Sequence, residues 1–452
     1  MSHQKCYITF IKSKLIIYGM YGYCKEYMIR KEDMMKYFDK VIGYDDIKNE
    51  LNMVCDILND PDKYVKLGVS TPRGILLHGA PGVGKTLLAN SFIEASGRKA
   101  YLCRKNMPNG KFVDHIREVF KKAQDAGKSI VFLDDLDKFA NDDEEHQNSE
   151  EYITIQSCID DMEGKDILVL ATANSIWTLP DSLVRHGRFD RIIKMDEPTG
   201  EDAVKIIKYY LSEKSTVAEL DSEEVARILG GYSCATLKSV INEAGIYAGF
   251  AGKEKIDFDD IAKACLRLIF KAPENMSKED RQSIDRIAYH EAGHAVIAEI
   301  LEPGSVSLVS VRRHGKDIGG FTRVKNSDGY FYSKEAMENR VCFALGGKAA
   351  SEIVFGEADT GTNNDLREAF DIVERFVDSY CSYGFGAWQR FKSGHMVTEN
   401  KDMRITSEME RYYEQTKSIL ARNREMLDRI AGELMEKETL FHIDIKALKS
   451  VS

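Results

Sequence analysis

A chain of 452 residues is too long for one ordinary core, and its composition, 43% hydrophobic and 30% charged with only eight prolines, excludes a disordered or fibrous protein. A net charge of -10 leaves no overall basic footprint for a phosphate backbone, so nucleic acid is not expected as a partner. Nine cysteines, scattered and never spaced C-x-x-C, signal neither a disulfide framework nor a thiolate metal site and point to a reducing, cytoplasmic compartment.

The chain opens with Tyr7 to Cys24, rich in Ile, Tyr and Phe but interrupted by Lys12 and Lys14. The apolar remainder is shorter than the ~20 residues a membrane span requires, and the residue order is wrong for a signal peptide. No transmembrane anchor is evident; the segment reads as a strand or hairpin packed on the body, with peripheral membrane attachment as the alternative. From Val41 to Lys66, helix formers surround a turn signal at Asn59 to Asp62. Short apolar runs follow at Gly74 to His78, Ala100 to Cys103, Ser129 to Leu133, Ile167 to Ala171 and Ile192 to Met195, mostly separated by helical stretches. That alternation predicts a parallel sheet covered by helices on both faces. Glu201 to Leu268 turns helical, and Ala272 to Ser283, polar with Pro273, reads as a linker. Beyond Ile284 helices dominate, apart from a β-like stretch Val306 to Val324. Ser407 to Leu440 has long helical periodicity, with charges spaced for i,i+4 pairing.

Two motifs carry chemistry. G-A-P-G-V-G-K-T, Gly79 to Thr86, follows an apolar strand and precedes the helical run Leu87 to Ala95, the setting a phosphate-binding loop requires. Gly79, Pro81, Gly82, Val83, Gly84 and Leu87 would shape the cradle for ATP. Lys85 would reach the β and γ phosphates and Thr86 would ligate Mg2+. Downstream, the apolar run Ile130 to Leu133 ends in Asp134 and Asp135, which suits delivery of Asp134 to the Mg2+ shell. Asp135 would orient or polarise the attacking water, although a solvated strand-end carboxylate would look the same.

The second motif, H-E-A-G-H at His290 to His294, lies in the apolar helical stretch Ile287 to Ile300. Histidines at i and i+4 share one helix face and can hold one Zn2+, while Glu291 can take a proton from the attacking water. This is the chemistry of peptide hydrolysis.

Further segments resemble the FtsH family of AAA proteases. Asn174, and R-H-G-R-F-D-R at Arg185 to Arg191, look like the sensor and arginine-finger region of AAA ATPases; without the phosphate motifs a surface salt-bridge cluster would be preferred for these arginines. H-E-A-G-H-A-V, G-G-K-A-A-S-E at Gly346 to Glu352, T-G-T-N-N-D-L at Thr360 to Leu366 and L-M-E-K-E-T-L at Leu434 to Leu440 look like its peptidase domain. The resemblance implies Asp365 as third zinc ligand, Arg185 and Arg188 reaching a neighbouring subunit's γ phosphate, one Zn2+ per subunit and a homo-oligomer, usually a hexameric ring. Glu352 would be either a carboxylate orienting a histidine or an ordinary helix-surface charge. Ile318 to Thr322 resembles the strand beside the family's active site, where an extended substrate could pair, a structural hairpin being the alternative.

The implied architecture is an N-terminal segment (1–38), a large α/β AAA ATPase core with a parallel sheet and flanking helices (39–197), a small helical lid (198–272), a linker (273–283) and a mainly α-helical zinc peptidase domain (284–452). The implied activity is ATP-driven delivery of protein substrates to the peptidase; an ATP-driven remodeller with an idle metal site is the alternative. Three departures stand out: no evident membrane anchor, Asp134-Asp135 where the family has Asp-Glu, and an altered pore segment, N-M-P-N-G-K-F, at Asn106 to Phe112. There Met107, or Phe112 in a shifted loop, would provide an apolar grip, unless the segment is an ordinary surface loop.

Overall fold

The computed structural model describes residues 36–107, 109–140, 149–185, 187–214, 220–274, 276–314, 319–325, 333–357, 360–380, 382 and 395–449. The hairpin expected over Tyr7 to Cys24 lies outside them. The chain divides into two compact units, one running to Tyr209 and including Gly231–Lys238, the other made of Tyr210–Gly230 and the chain from Ser239 onward.

Strands with no polar alternation belong in the middle of a parallel sheet. In the first unit β1 (Gly74–His78), β2 (Lys99–Cys103), β3 (Ser129–Leu133), β4 (Ile167–Ala173) and β5 (Arg191–Lys194) pair in the order β2-β3-β4-β1-β5, all parallel. Every residue of β3 and β4 is buried. The expected runs fall on these strands within a residue or two. Because all five strands are parallel, the loops leaving the carboxyl ends of β1, β3 and β4 open along one edge. The turn signal at Asn59 to Asp62 separates the helices Asp45–Asn59 and Pro61–Val65, with Pro61 at the first helical position, where its missing N–H costs nothing.

The altered pore segment differs from the expectation. Phe112 is fully buried in the helix Asn109–Ala126 and packs edge-on against Phe139, ring centroids 5.1 Å apart. An aromatic at the start of an amphipathic helix buries more apolar area in the core than at a loop tip. Phe112 is therefore no candidate grip. Met107 is half-buried and packs on the same core cluster, and Pro108 lies outside the described residues.

In the second unit the helix Ile284–Leu301 is apolar almost all round and is correspondingly buried, with Ala288, Ala292, Ala295, Val296 and Ile297 inaccessible. The helices Lys334–Phe355 and Arg424–Lys437 pack on it. Where helices Ile284–Leu301 and Lys334–Phe355 cross, a Cβ at Gly293 would lie 2.4 Å from the Gly346 carbonyl oxygen, so only glycine permits this approach. The β-like stretch resolves into β6 (Val306–Ser310) and β7 (Phe321–Val324), joined by β8 (Thr439–Phe441) in the antiparallel order β7-β6-β8. Ile318 lies outside the described residues.

The helical reading through Leu440 is corrected at its end. Glu438, at φ 60°, closes the helix Arg424–Lys437 in the left-handed region, and Leu440 then pairs with Val309 in the sheet. Earlier in the chain, Lys278–Gln282 forms a short helix capped by Ser277, and Arg313 holds Asp280 at 2.7 Å. No described helix is long and apolar enough to cross a membrane.

Candidate active sites

The first unit gathers its polar groups at the sheet edge defined above. The loop after β1 turns through Gly79, Gly82 and Gly84, all at positive φ, and delivers Lys85 and Thr86 to the start of the helix Lys85–Ser96. A Cβ on Gly79 would sit 1.9 Å from the Met195 carbonyl oxygen, which fixes glycine there. Val83 is buried, its carbonyl accepting from Cys234 at 3.4 Å, whereas Pro81 and Leu87 are exposed. The Lys85 ammonium donates to the carbonyls of Gly79 (2.7 Å) and Ala80 (2.9 Å) and to Asn174 Oδ1 (3.1 Å), so the sensor candidate at the end of β4 touches the phosphate-loop lysine. Burial lowers the Lys85 pKa, opposed by the charges of Asp137, Asp135 and Asp134.

Asp134 is fully buried at the end of β3. Its Oδ1 accepts from Thr172 Oγ1 (2.8 Å) and Thr86 Oγ1 (3.1 Å), and Arg104 donates to Oδ2. Burial would raise its pKa, but these hydrogen bonds and the guanidinium hold it below the ordinary carboxylate value. Asp135 stands at φ 57°, bonded to Lys138 Nζ at 2.6 Å, while its N–H donates to Thr172 Oγ1 at 2.9 Å. Thr172 thus ties the Asp134 carboxylate to the Asp135 backbone, a link invisible in the sequence because β4 meets β3 only in the sheet. Arg185 is exposed. Arg188 is buried, bound through two nitrogens to Asp160 at 3.0 and 2.7 Å and to the Ser182 carbonyl. The two arginines therefore differ: Arg185 is open to solvent, and Arg188 is engaged within its own chain.

In the second unit, His290 and His294 project from one face of the helix Ile284–Leu301, their Nε2 atoms 3.2 Å apart. Asp365, in the first turn of the helix Asn363–Asp378, brings Oδ2 to 3.1 Å from His290 Nε2 and 3.4 Å from His294 Nε2. Among the described residues these three form the group able to hold a metal ion, their donor atoms all within 4.8 Å of one another. His294 Nδ1 lies 2.7 Å from the Phe343 carbonyl; a proton on that nitrogen leaves the Nε2 lone pair facing the cluster. Gly347 makes the cradle for His290: a Cβ there would fall 2.4 Å from the imidazole Nε2. Two imidazoles and one carboxylate are the donor set of a catalytic zinc, so the residues fit that metal. Burial would raise the Asp365 pKa, yet hydrogen bonds to the two imidazoles hold it far below the usual carboxylate range.

Glu291 is buried beside this cluster, and burial pushes its carboxyl above the ordinary value, opposed by the neighbouring imidazoles and by Thr322. Thr322 Oγ1 donates to Glu291 Oε2 at 2.8 Å. Gly320 allows the strand to approach, since a Cβ there would lie 2.8 Å from the Glu291 side chain. Neither contact was readable from motif spacing, although I-G-G-F-T marked the strand. Glu352 instead joins Lys348 at 3.2 Å and Tyr413, on the surface of its helix. Its partners are those of an ordinary helix-surface charge.

Residues 75–197 match the family described as "ATPase family associated with various cellular activities (AAA)", and residues 274–448 match Peptidase family M41. Over 430 residues the chain is 33% identical to "ATP-dependent zinc metalloprotease FtsH 2" of Thermoanaerobacter sp. (strain X514), covering 91% of this chain and 82% of that protein. It is 30% identical over 447 residues to "ATP-dependent zinc metalloprotease FtsH" of Syntrophobacter fumaroxidans, covering 90% and 68%. To "ATP-dependent zinc metalloprotease FTSH, chloroplastic" of Nicotiana tabacum it is 31% identical over 438 residues, covering 89% and 61%.

Proposed function

Because this chain belongs to the FtsH family of ATP-dependent zinc metalloproteases, we propose that His290, His294 and Asp365 hold its zinc and that Glu291 is the general base of peptide hydrolysis. The chain is an ATP-dependent protease of protein substrates and assembles as an oligomer. The observation that carries the site reading is the convergence of two imidazole nitrogens and one carboxylate oxygen, drawn from two helices, beside a buried glutamate. Zinc, when bound, supplies a Lewis acid that lowers the pKa of water and polarises the scissile carbonyl. Glu291 accepts the proton of the attacking water and passes it to the leaving amine. Among the described residues β7 is the edge strand of its sheet, the place where an extended substrate would pair.

At the nucleotide site, the phosphate loop, Lys85, Thr86, Asp134 and Asn174 bind ATP with magnesium, and Asp135 orients the water. Arg185, exposed beside Asp181–Val184, reaches the neighbouring subunit's phosphate in a hexameric ring, and Arg188 joins it on leaving Asp160. The large ATPase core spans 39–197, the helical lid 198–272, the linker 273–283 and the peptidase 284–452. A cytoplasmic location is supported by the free thiols of Cys55, Cys103, Cys158, Cys234, Cys265 and Cys342. The burial of Phe112 favours loosely folded substrates over stable ones, since that aromatic does not grip.

The test combines zinc analysis with casein cleavage by wild type and Lys85→Ala. We expect about one zinc per chain in both, ATP-stimulated cleavage by wild type, and loss of that stimulation, ~100-fold or more, in the variant. Equal digestion by both would break the link between nucleotide and proteolysis.

A further inference from the structure

The zinc-site reading names a base but not what aims it. A glutamate side chain has three rotatable bonds, and a base misplaced by about 1 Å can lose about 100-fold in rate. We propose that Thr322 is a positioning residue for peptide hydrolysis, its hydroxyl holding Glu291 with Oε2 occupied and Oε1 left to take the proton; this rests on Glu291 being the general base.

The geometry is specific. Thr322 Oγ1 lies 2.8 Å from Glu291 Oε2 and 3.2 Å from the Glu291 backbone oxygen. A hydroxyl has one proton, and the shorter, charge-assisted contact takes it. Thr322 is only half-buried, so the hydroxyl is not driven inward by lack of water. Its β-branch restricts the side chain to few rotamers, which makes the donor stiff. Opposite it, Gly320 has no Cβ, and the Glu291 Cγ and Oε1 occupy the space one would fill.

The strand bearing the hydroxyl is fixed from its other face. In β7 alternate side chains point to opposite sides, so Phe321 and Arg323 lie across from Thr322. Phe321 stacks on Phe270, ring centroids 4.5 Å apart at 23°, with the His314 ring 5.4 Å away. The Arg323 guanidinium lies 5.9 Å over the same Phe270 ring and donates to the Gly230 carbonyl at 2.6 Å. These contacts prevent β7 from rolling about its axis, and Thr322 therefore keeps its hydroxyl on the base. Among the described residues β7 is also an edge strand, so the element proposed to pair with substrate is the one that orients the group proposed to activate water.

The experiment uses the full chain loaded with zinc and a short unstructured fluorogenic peptide. Thr322→Val keeps the shape and the β-branch and removes the donor. We expect kcat to fall ~10- to 100-fold with KM within about twofold, zinc content and melting temperature near wild type, and Thr322→Ser to recover most of kcat. A Thr322→Val kcat within twofold of wild type overturns the proposal. So does a Thr322→Ser variant as slow as Thr322→Val, or a loss confined to KM or to bound zinc. Glu291→Gln is measured in parallel: if it retains wild-type turnover, the general-base reading itself is wrong, whereas an inactive Glu291→Gln beside an active Thr322→Val removes only the role of Thr322.

Discussion

The two proposed sites bring carboxylates together by opposite constructions. At the nucleotide site each group leaves the same edge of one parallel sheet: the phosphate loop after β1, Asp134 and Asp135 after β3, Asn174 after β4. Sheet register sets their spacing, with Leu133 opposite Ala171 and His78 opposite Ala173, and backbone atoms do much of the holding. At the proposed zinc site no sheet sets the spacing of the donor groups. Two histidines come from one helix, Asp365 from another, the cradle glycine from a third and the base's partner from an edge strand. The first site is held by backbone register, the second by side chains packed from separate elements.

The sharpest way to break that contrast is Gly347→Ala. A Cβ at 2.4 to 2.6 Å from three atoms of the His290 ring forces the imidazole or its helix to shift. We expect zinc affinity to fall ~10- to 100-fold and stability to drop by about 1 to 3 kcal/mol, with ATP binding unchanged. Chelator competition and thermal melting measure these. Wild-type zinc affinity in this variant would mean that the zinc centre adapts, and the contrast with the nucleotide site would lose its basis.

The same contrast explains what the sequence discloses. The strands were legible because buried parallel strands read as unbroken apolar runs, and the phosphate loop because its chemistry is contiguous. His290, Glu291 and His294 were legible because one helix turn places them together. Asp365 had no such local signal and came only from family resemblance. Thr322, Gly347 and Thr172 carry no motif of their own; each acquires meaning through a partner that only tertiary packing brings near. Phe112 could be read either way because a loop aromatic and the first core residue of a helix look alike in sequence, and its burial removes the shifted-loop alternative. Leu440 was misjudged because Glu438, a good helix former, ends the helix in a left-handed conformation.

A smaller effect tests the nucleotide side. Asp135 sits at φ 57°, a region that Asp tolerates better than most residues, and it is a shorter carboxylate than the Glu that the resemblance leads one to expect. Asp135→Glu should therefore raise ATP turnover several-fold by extending the carboxylate towards the water, at a stability cost of about 1 kcal/mol. Phosphate release and thermal melting separate the two effects. A turnover equal to or below wild type would show that Asp135 does not address the water.

The smallest expected effect concerns Arg188, whose proposed reach to a neighbouring subunit competes with its bond to Asp160. The paired guanidinium holds the Asp160 carboxyl below its ordinary value, burial opposing. A carboxylate depressed in the folded state stabilises above its unfolded pKa, ~4, and that stabilisation is lost as pH falls through the lower folded value. Asp160 is about half exposed, so solvent screening limits the pair to about 1 kcal/mol. Asp160→Asn should accordingly melt slightly below wild type at pH 7, and the gap should close on acidification below pH ~4. A small deficit of that kind is what the proposed exchange of Asp160 for a phosphate across a subunit boundary requires, with the Ser182 carbonyl contact given up as well. A deficit of several kcal/mol that persists at low pH would instead mark Arg188 as a structural cation of its own subunit, and Arg185 alone would be left to reach the neighbour.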